Sequence, residues 1–178
     1  MQQRTAIPAG KEWKKHPVRE FIATPFVKIG DEWMLINAGD GEDWNTMTAS
    51  WGGLGVLWGM DVAFVFVRPT RHTFSYMERS KGFSLSFFDP AYKKALSFCG
   101  SASGRDTDKA AGAGLTPILL EKGCISFAEA RETLQCRTLY SQDISPAHFL
   151  DPSLETHYPK KDYHRLYVGC LEGLYKKS

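Results

Sequence analysis

Alternation at a period of two constrains this chain more than anything else in it. In FSLSFF, residues 83–88, Phe83, Leu85 and Phe87 fall on one side and Ser84 and Ser86 on the other. Successive side chains of a strand point to opposite faces, so this spacing predicts a half-buried antiparallel strand. The same signature reads as strands over Glu32–Asn37, Thr46–Trp51, Glu132–Gln142 and Tyr163–Tyr175. Val62–Arg68 (VAFVFVR) is apolar on both sides up to its arginine and reads as a central strand. The last two strands are long enough to bend around a barrel. Helical spacing is confined to Thr73–Lys81, Pro90–Phe98 and Asp106–Gly112, the third with Ser103 or Asp106 as its cap. The expected architecture is mainly β: a barrel that closes its sheet to remove edges, with a few short peripheral helices.

With 178 residues, 43% hydrophobic and 24% charged, the chain reads as one domain over 1–178 with a real core. The formal charge of +2 is too small to argue for nucleic acid, so any anion site must be local. The first 21 residues hold no apolar run of signal-peptide length, and Val62–Val67 is far short of the roughly 20 residues of a spanning helix. The expectation is a cytoplasmic protein without a membrane partner. Cys99, Cys124, Cys136 and Cys170 are widely spaced and read as buried free thiols.

Several chemistries fail on spacing. Neither G-x-x-x-x-G-K-S/T nor G-x-G-x-x-G occurs: Gly53 and Gly55 are followed by Trp58 where a third glycine is required. There is no G-x-S-x-G elbow. The five histidines form no helical ligand pair, and Asp40, Glu42 and Asp43 lack the spacing of a calcium loop, so no metal is expected.

Two stretches pair cations with hydroxyls. RPTRHT (68–73) leaves a strand, turns at Pro69 and brings Arg68, Arg71 and Thr73 to a predicted helix start. SASGRDTDK (101–109) does the same with Ser103, Arg105 and Lys109. Unpaired N–H groups beside a guanidinium would hold a phosphate; a solvated loop with a helix cap explains either stretch equally well. NTMTASWGGLG (45–55) adds a strand of small side chains along which a flat heterocycle could meet exposed main chain, with Trp51 or Trp58 as an aromatic face. An isoalloxazine ring carries the matching acceptors and donor. The other reading of the stretch is a hairpin with glycines in its turn and tryptophans in the core.

Taken in order, NTMTASWGGLG (45–55), VFVRPTRHT (65–73), FSLSFF (83–88), CGSASGRDTDK (99–109), DISPAHFLDPS (143–153) and DYHRLYVG (162–169) resemble the flavin reductase-like, FMN-binding split-barrel proteins, in particular their flavoredoxin-like branch. The resemblance implies a Greek-key-like split β-barrel homodimer with FMN near the subunit interface. Position by position, it implies that Asn45, Met47, Thr48, Ala49, Ser50 and Trp51 line the flavin. Arg68, Arg71 and Thr73 approach its phosphate with Ser103 and Lys109, and His148 comes near from the late loop. Trp58, His72 and His164 read as packing or surface residues. Gly59-Met60-Asp61 departs from the more basic or polar residues usual before that strand and bears on the nicotinamide or partner contact.

The implied activity is an NAD(P)H-dependent flavin reductase that passes hydride from nicotinamide to flavin N5 and then electrons to an acceptor. Two alternatives stand beside it: an FMN electron-transfer protein reduced by a redox protein, and a non-catalytic module for flavin or another planar cofactor. The protein would then supply binding and orientation while the cofactor carries the chemistry, so no catalytic acid–base pair is expected.

Overall fold

The computed structural model describes residues 7–21 and 24–177. Among these residues ten strands form: β1 Trp13–His16, β2 Met34–Gly39, β3 Trp44–Ala49, β4 Gly52–Leu57, β5 Met60–Val67, β6 Gly82–Phe87, β7 Pro117–Leu119, β8 Ile125–Phe127, β9 Glu132–Asp143 and β10 Arg165–Lys177. The α-helices among the described residues are α1 His72–Arg79, α2 Lys93–Ser101 and α3 Lys109–Ala113. Eight strands make one sheet in the order β3-β2-β6-β9-β10-β5-β4, with β1 added on β10; β7 and β8 pair separately. The pairings in the large sheet are antiparallel. β3 and β4, the two ends of the path, are consecutive in the chain yet not paired with each other. Only Ser50 and Trp51 separate them, so the barrel is split at that step.

The mainly β expectation holds, and the two long strands do the bending. β10 pairs with β9 along its length, with register shifts at Val168/Gly169 and Leu171/Gly173 that increase its curvature. Inward-facing Met34, Ile36, Met47, Val65, Val67, Leu85, Phe87, Leu134 and Leu174 fill the barrel. The alternation recognised in the sequence points these side chains to one face.

Several details differ. Ser84 and Ser86 do not face solvent; they are buried beneath the β7–β8 ribbon. Ser84 Oγ donates to Ile125 O, Asn37 Nδ2 reaches Ser84 Oγ at 3.1 Å and Ser86 Oγ at 3.0 Å, and Thr133 Oγ1 donates to Ser86 Oγ at 3.2 Å. A polar face can be buried when its groups satisfy one another, which local spacing does not report.

The predicted helix over Asp106–Gly112 begins later, at Lys109. Its cap is Asp108, whose carboxylate accepts from the N–H groups of Ala110 and Ala111; Ser103 Oγ is occupied instead by Arg105 N at 3.2 Å. Pro90–Tyr92 is a 3-10 turn that leads into α2. The glycine-rich stretch is a strand, and its hairpin turn is Trp58-Gly59, both at positive φ (52° and 70°) between the paired Leu57 and Met60. Two left-handed residues are what a two-residue hairpin matched to strand twist requires. Neither Trp51 nor Trp58 enters the core: they are 40% and 59% exposed.

Candidate functional site

At the split between β3 and β4 lies a hollow of about 230 Å3. The end of β3 supplies Met47, Thr48 and Ala49, followed by Ser50 and Trp51; β5 supplies Phe66, and Arg68, Arg71 and His164 close it. A second hollow, about 290 Å3, shares Thr48 and Ser50 and continues past Trp33, Leu96 and Gly100. The two adjoin at Thr48 and Ser50, making a trough across the end of β3.

The floor of the trough is an open sheet edge. β3 pairs with β2 on one side only. Thr46 O, on the open side, accepts Lys109 Nζ at 2.9 Å; main-chain groups alternate in direction along a strand, so those of Thr48 face the same edge. The Thr48 hydroxyl is spent on Leu96 O, which ties the strand to α2.

The two arginines at the wall differ in what they have left to give. Arg68 Nη1 donates to both carboxylate oxygens of Asp162 at 2.9 Å, and Nη2 donates to His157 O at 2.8 Å. Its hydrogen bond holds Asp162 below the usual carboxylate range. Arg71 has no carboxylate partner among the described residues. One of its donors reaches Gly100 O at 2.6 Å, and the rest of its fork has no acceptor there. No acid lines the hollow, so it is electropositive beside an unpaired strand edge.

His164 is 9% exposed, packed 4.9 Å from the Trp51 ring and hydrogen-bonded through Nδ1 to the Tyr158 hydroxyl at 2.9 Å. Burial first, and then the charge of Arg68, push its pKa down to about 4, so it is neutral at pH 7. Beneath the trough, Lys109 is 4% exposed and donates to Thr46 O and Cys99 O, each at 2.9 Å. Burial lowers its pKa to about 8. Asn45 Nδ2 donates to Thr73 Oγ1 at 2.8 Å, both residues buried, and pins β3 to the start of α1. Gly104 approaches so closely that a Cβ there would meet Asn45 Oδ1 at 2.2 Å.

The structure therefore brings Met47, Thr48, Ala49, Ser50, Trp51, Arg68 and Arg71 together around one hollow. Asn45, Thr73 and Lys109 lie buried, with their polar groups bonded to protein. Ser103 sits in the turn before α3 and His148 in an exposed 3-10 turn over Pro146–His148; neither lines the hollow. Phe66 and His164 line it without being assigned there from sequence. The alternation in VAFVFVR set Phe66 opposite Val65 and Val67, a usable signal. His164, read inside the strand Tyr163–Tyr175 and within DYHRLYVG as a packing or surface residue, stands one residue before β10 and lines the hollow.

The sequence profile described as the flavin reductase like domain matches residues 29–169. The chain belongs to the flavin reductase-like family. No match is found among curated proteins. Among solved structures, the FMN-binding domain of a flavin reductases-like enzyme from Shewanella baltica is 17% identical, with a TM-score of 0.67 over 93% of this chain and 77% of that one. A flavoredoxin from Methanosarcina acetivorans is 20% identical, with a TM-score of 0.63 over 83% and 69%. An FMN-binding protein from Thermus thermophilus, solved with 1-cyclohex-2-enone, is 21% identical, with a TM-score of 0.63 over 82% and 70%. At these identities the likeness establishes the shared split-barrel fold.

Proposed function

We propose that this family member is an FMN-dependent oxidoreductase, a flavin reductase supplied with electrons by NADH or NADPH. One observation carries the reading: an open strand edge and an arginine with unspent donors meet in one acid-free hollow. Exposed main chain suits a flat heterocycle with alternating donors and acceptors, and the unspent guanidinium suits a phosphate. FMN bound there would supply hydride acceptance and onward electron transfer.

The chain's own residues bind and orient. Met47 to Trp51 bound the ring along β3, and Arg71 takes the phosphate. Arg68, locked by Asp162, fixes the wall beside it, while Asn45 and Thr73 hold β3 against α1. Lys109 contributes positive charge from beneath rather than a direct contact. Ser103 and His148 reach only a part of the molecule that extends past the rim. Neutral His164 packs against Trp51 and adds no charge to the wall.

The homodimer is part of the same proposal. Val56, Trp58 and Tyr140 are exposed by 68%, 59% and 42%; Val56 lies on β4, whose outer edge is unpaired, and Trp58, in the turn that follows β4, meets the Tyr140 ring of β9 edge-on. An open edge flanked by large apolar groups calls for a cover, and a second copy supplies one. A cytoplasmic site of action accords with four free cysteines.

The deciding experiment is the visible spectrum of purified protein, followed by separate additions of NADH and NADPH without oxygen. A bound flavin spectrum that bleaches with either nucleotide supports the reductase; colourless protein that takes up no FMN overturns it. An electron-carrier reading is favoured by Trp51, which lines the hollow with its ring against His164 and His157 and would compete with a nicotinamide for the flavin face. Bleaching by a reduced redox protein and by neither nucleotide would establish it.

A further inference from the structure

A cavity of about 480 Å3 lies apart from the trough, among the β2–β3 turn, the start of β6, the middle of β9 and the turn at Glu121–Gly123. Asn37, Ser84 and Gln135 are its buried polar groups. Asn37 and Ser84 spend their hydrogen bonds on each other, Ser86, Thr46 and Ile125 O. Gln135, 8% exposed, does not. Its carbonyl accepts from Tyr175 OH at 3.0 Å, and one amide N–H reaches Glu121 O only at 3.5 Å. The second N–H has no protein acceptor among the described residues, and Gln135 lines the cavity.

Charges around the mouth are unevenly paired. Arg79 is matched by Asp43 at 2.5 Å. Asp40 accepts the N–H groups of Glu42 and Asp43, bonds that hold its carboxyl below the usual range. Lys81 and Lys122 line the same cavity with no ion-pair partner among the described residues. After internal pairing there remain the Gln135 amide, the ammonium groups of Lys81 and Lys122 and the hydrogen-bonded but uncancelled Asp40 carboxylate, a net single positive charge.

We propose that this cavity binds a compact oxyanion, a phosphate ester or a polycarboxylate, with one oxygen on the Gln135 amide and the charge met by Lys81 and Lys122. The site is separate from the proposed FMN trough, and its occupancy does not depend on that reading. Buried Gln135 sets the depth of insertion, and the lysines give attraction that salt weakens.

Calorimetric titration of the full chain with pyrophosphate and with citrate, at low ionic strength, tests this and separates the two chemical sources. Saturable binding of at least one is expected, weakened at least tenfold in Lys81→Ala/Lys122→Ala and also in Gln135→Leu. The lysine variant alters only exposed side chains, so its thermal midpoint and FMN binding should match the parent. Arg71→Ala should bind the anion as the parent does. Absence of saturable heat for both anions, unchanged affinity in the lysine variant, equal competition by chloride, or loss in Arg71→Ala instead would each overturn the assignment.

Discussion

The ammonium of Lys109 donates to the main-chain oxygen of Thr46 at 2.9 Å from a position 4% exposed. A buried cation thereby braces the strand edge proposed to receive the flavin. It bonds the same open edge two residues before Thr48.

This burial has a signature in pH. Lys109 falls from 10.5 to about 8 in the folded protein, so between those values the unfolded chain binds more protons and stability rises with pH. Cys99 acts in the opposite sense: burial raises its thiol from 9.0 to about 11, and stability falls as pH climbs through that interval. Comparison with Lys109→Met isolates the lysine. Denaturant melts from pH 7.5 to 10.5 should show the parent gaining on the variant by about 3 kcal/mol, the order expected for a shift of this size; parallel curves would contradict it.

Arg71→Ala should weaken FMN by about tenfold or more, in line with one charge-assisted hydrogen-bond group, and leave riboflavin nearly unchanged. Paired titrations of the two flavins check this. Equal losses would remove Arg71 from the phosphate.

Ser50 stands at the split and borders both hollows. Leucine there should obstruct approach to the strand edge while the barrel core, which Ser50 does not join, keeps its stability. The expected result is a native circular dichroism spectrum and melt with FMN affinity reduced by an order of magnitude or more; a folded variant of parental affinity would contradict the trough assignment.

Charging the apolar flank should disrupt self-association. Trp58→Glu/Tyr140→Glu places two carboxylates on exposed positions, one in the turn after β4 and one on β9 against it. Sedimentation velocity should show a parental dimer become monomer in the variant. A monomeric parent at micromolar concentration would rule out the dimer.

Much of the barrel was legible because burial on one face writes itself into spacing. FSLSFF, VAFVFVR and the two long C-terminal patterns each announced a strand. Strand β4 was harder: glycine at 52, 53 and 55 interrupts alternation, and the pairing with β5, not intrinsic propensity, makes it a strand. The serine face of β6 was misleading for the same reason, since the ribbon covering it comes from residues 117–127.

The candidate site divides in a similar way. The hydroxyl-rich strand end and the RPTRHT turn were visible as local chemistry, and they do meet. Which arginine remains available was not visible, because Asp162, which claims Arg68, lies 94 residues away in sequence. His164 joined the wall from equally far.

Local order of side chains, then, determined the strands, their faces and the presence of cations beside hydroxyls, since each depends on neighbours within a few residues. Tertiary structure alone decided where the sheet stays open, which charges cancel and which donors remain unspent. Those properties arise when segments distant in sequence pair or fail to pair, and no short stretch of the chain contains both partners.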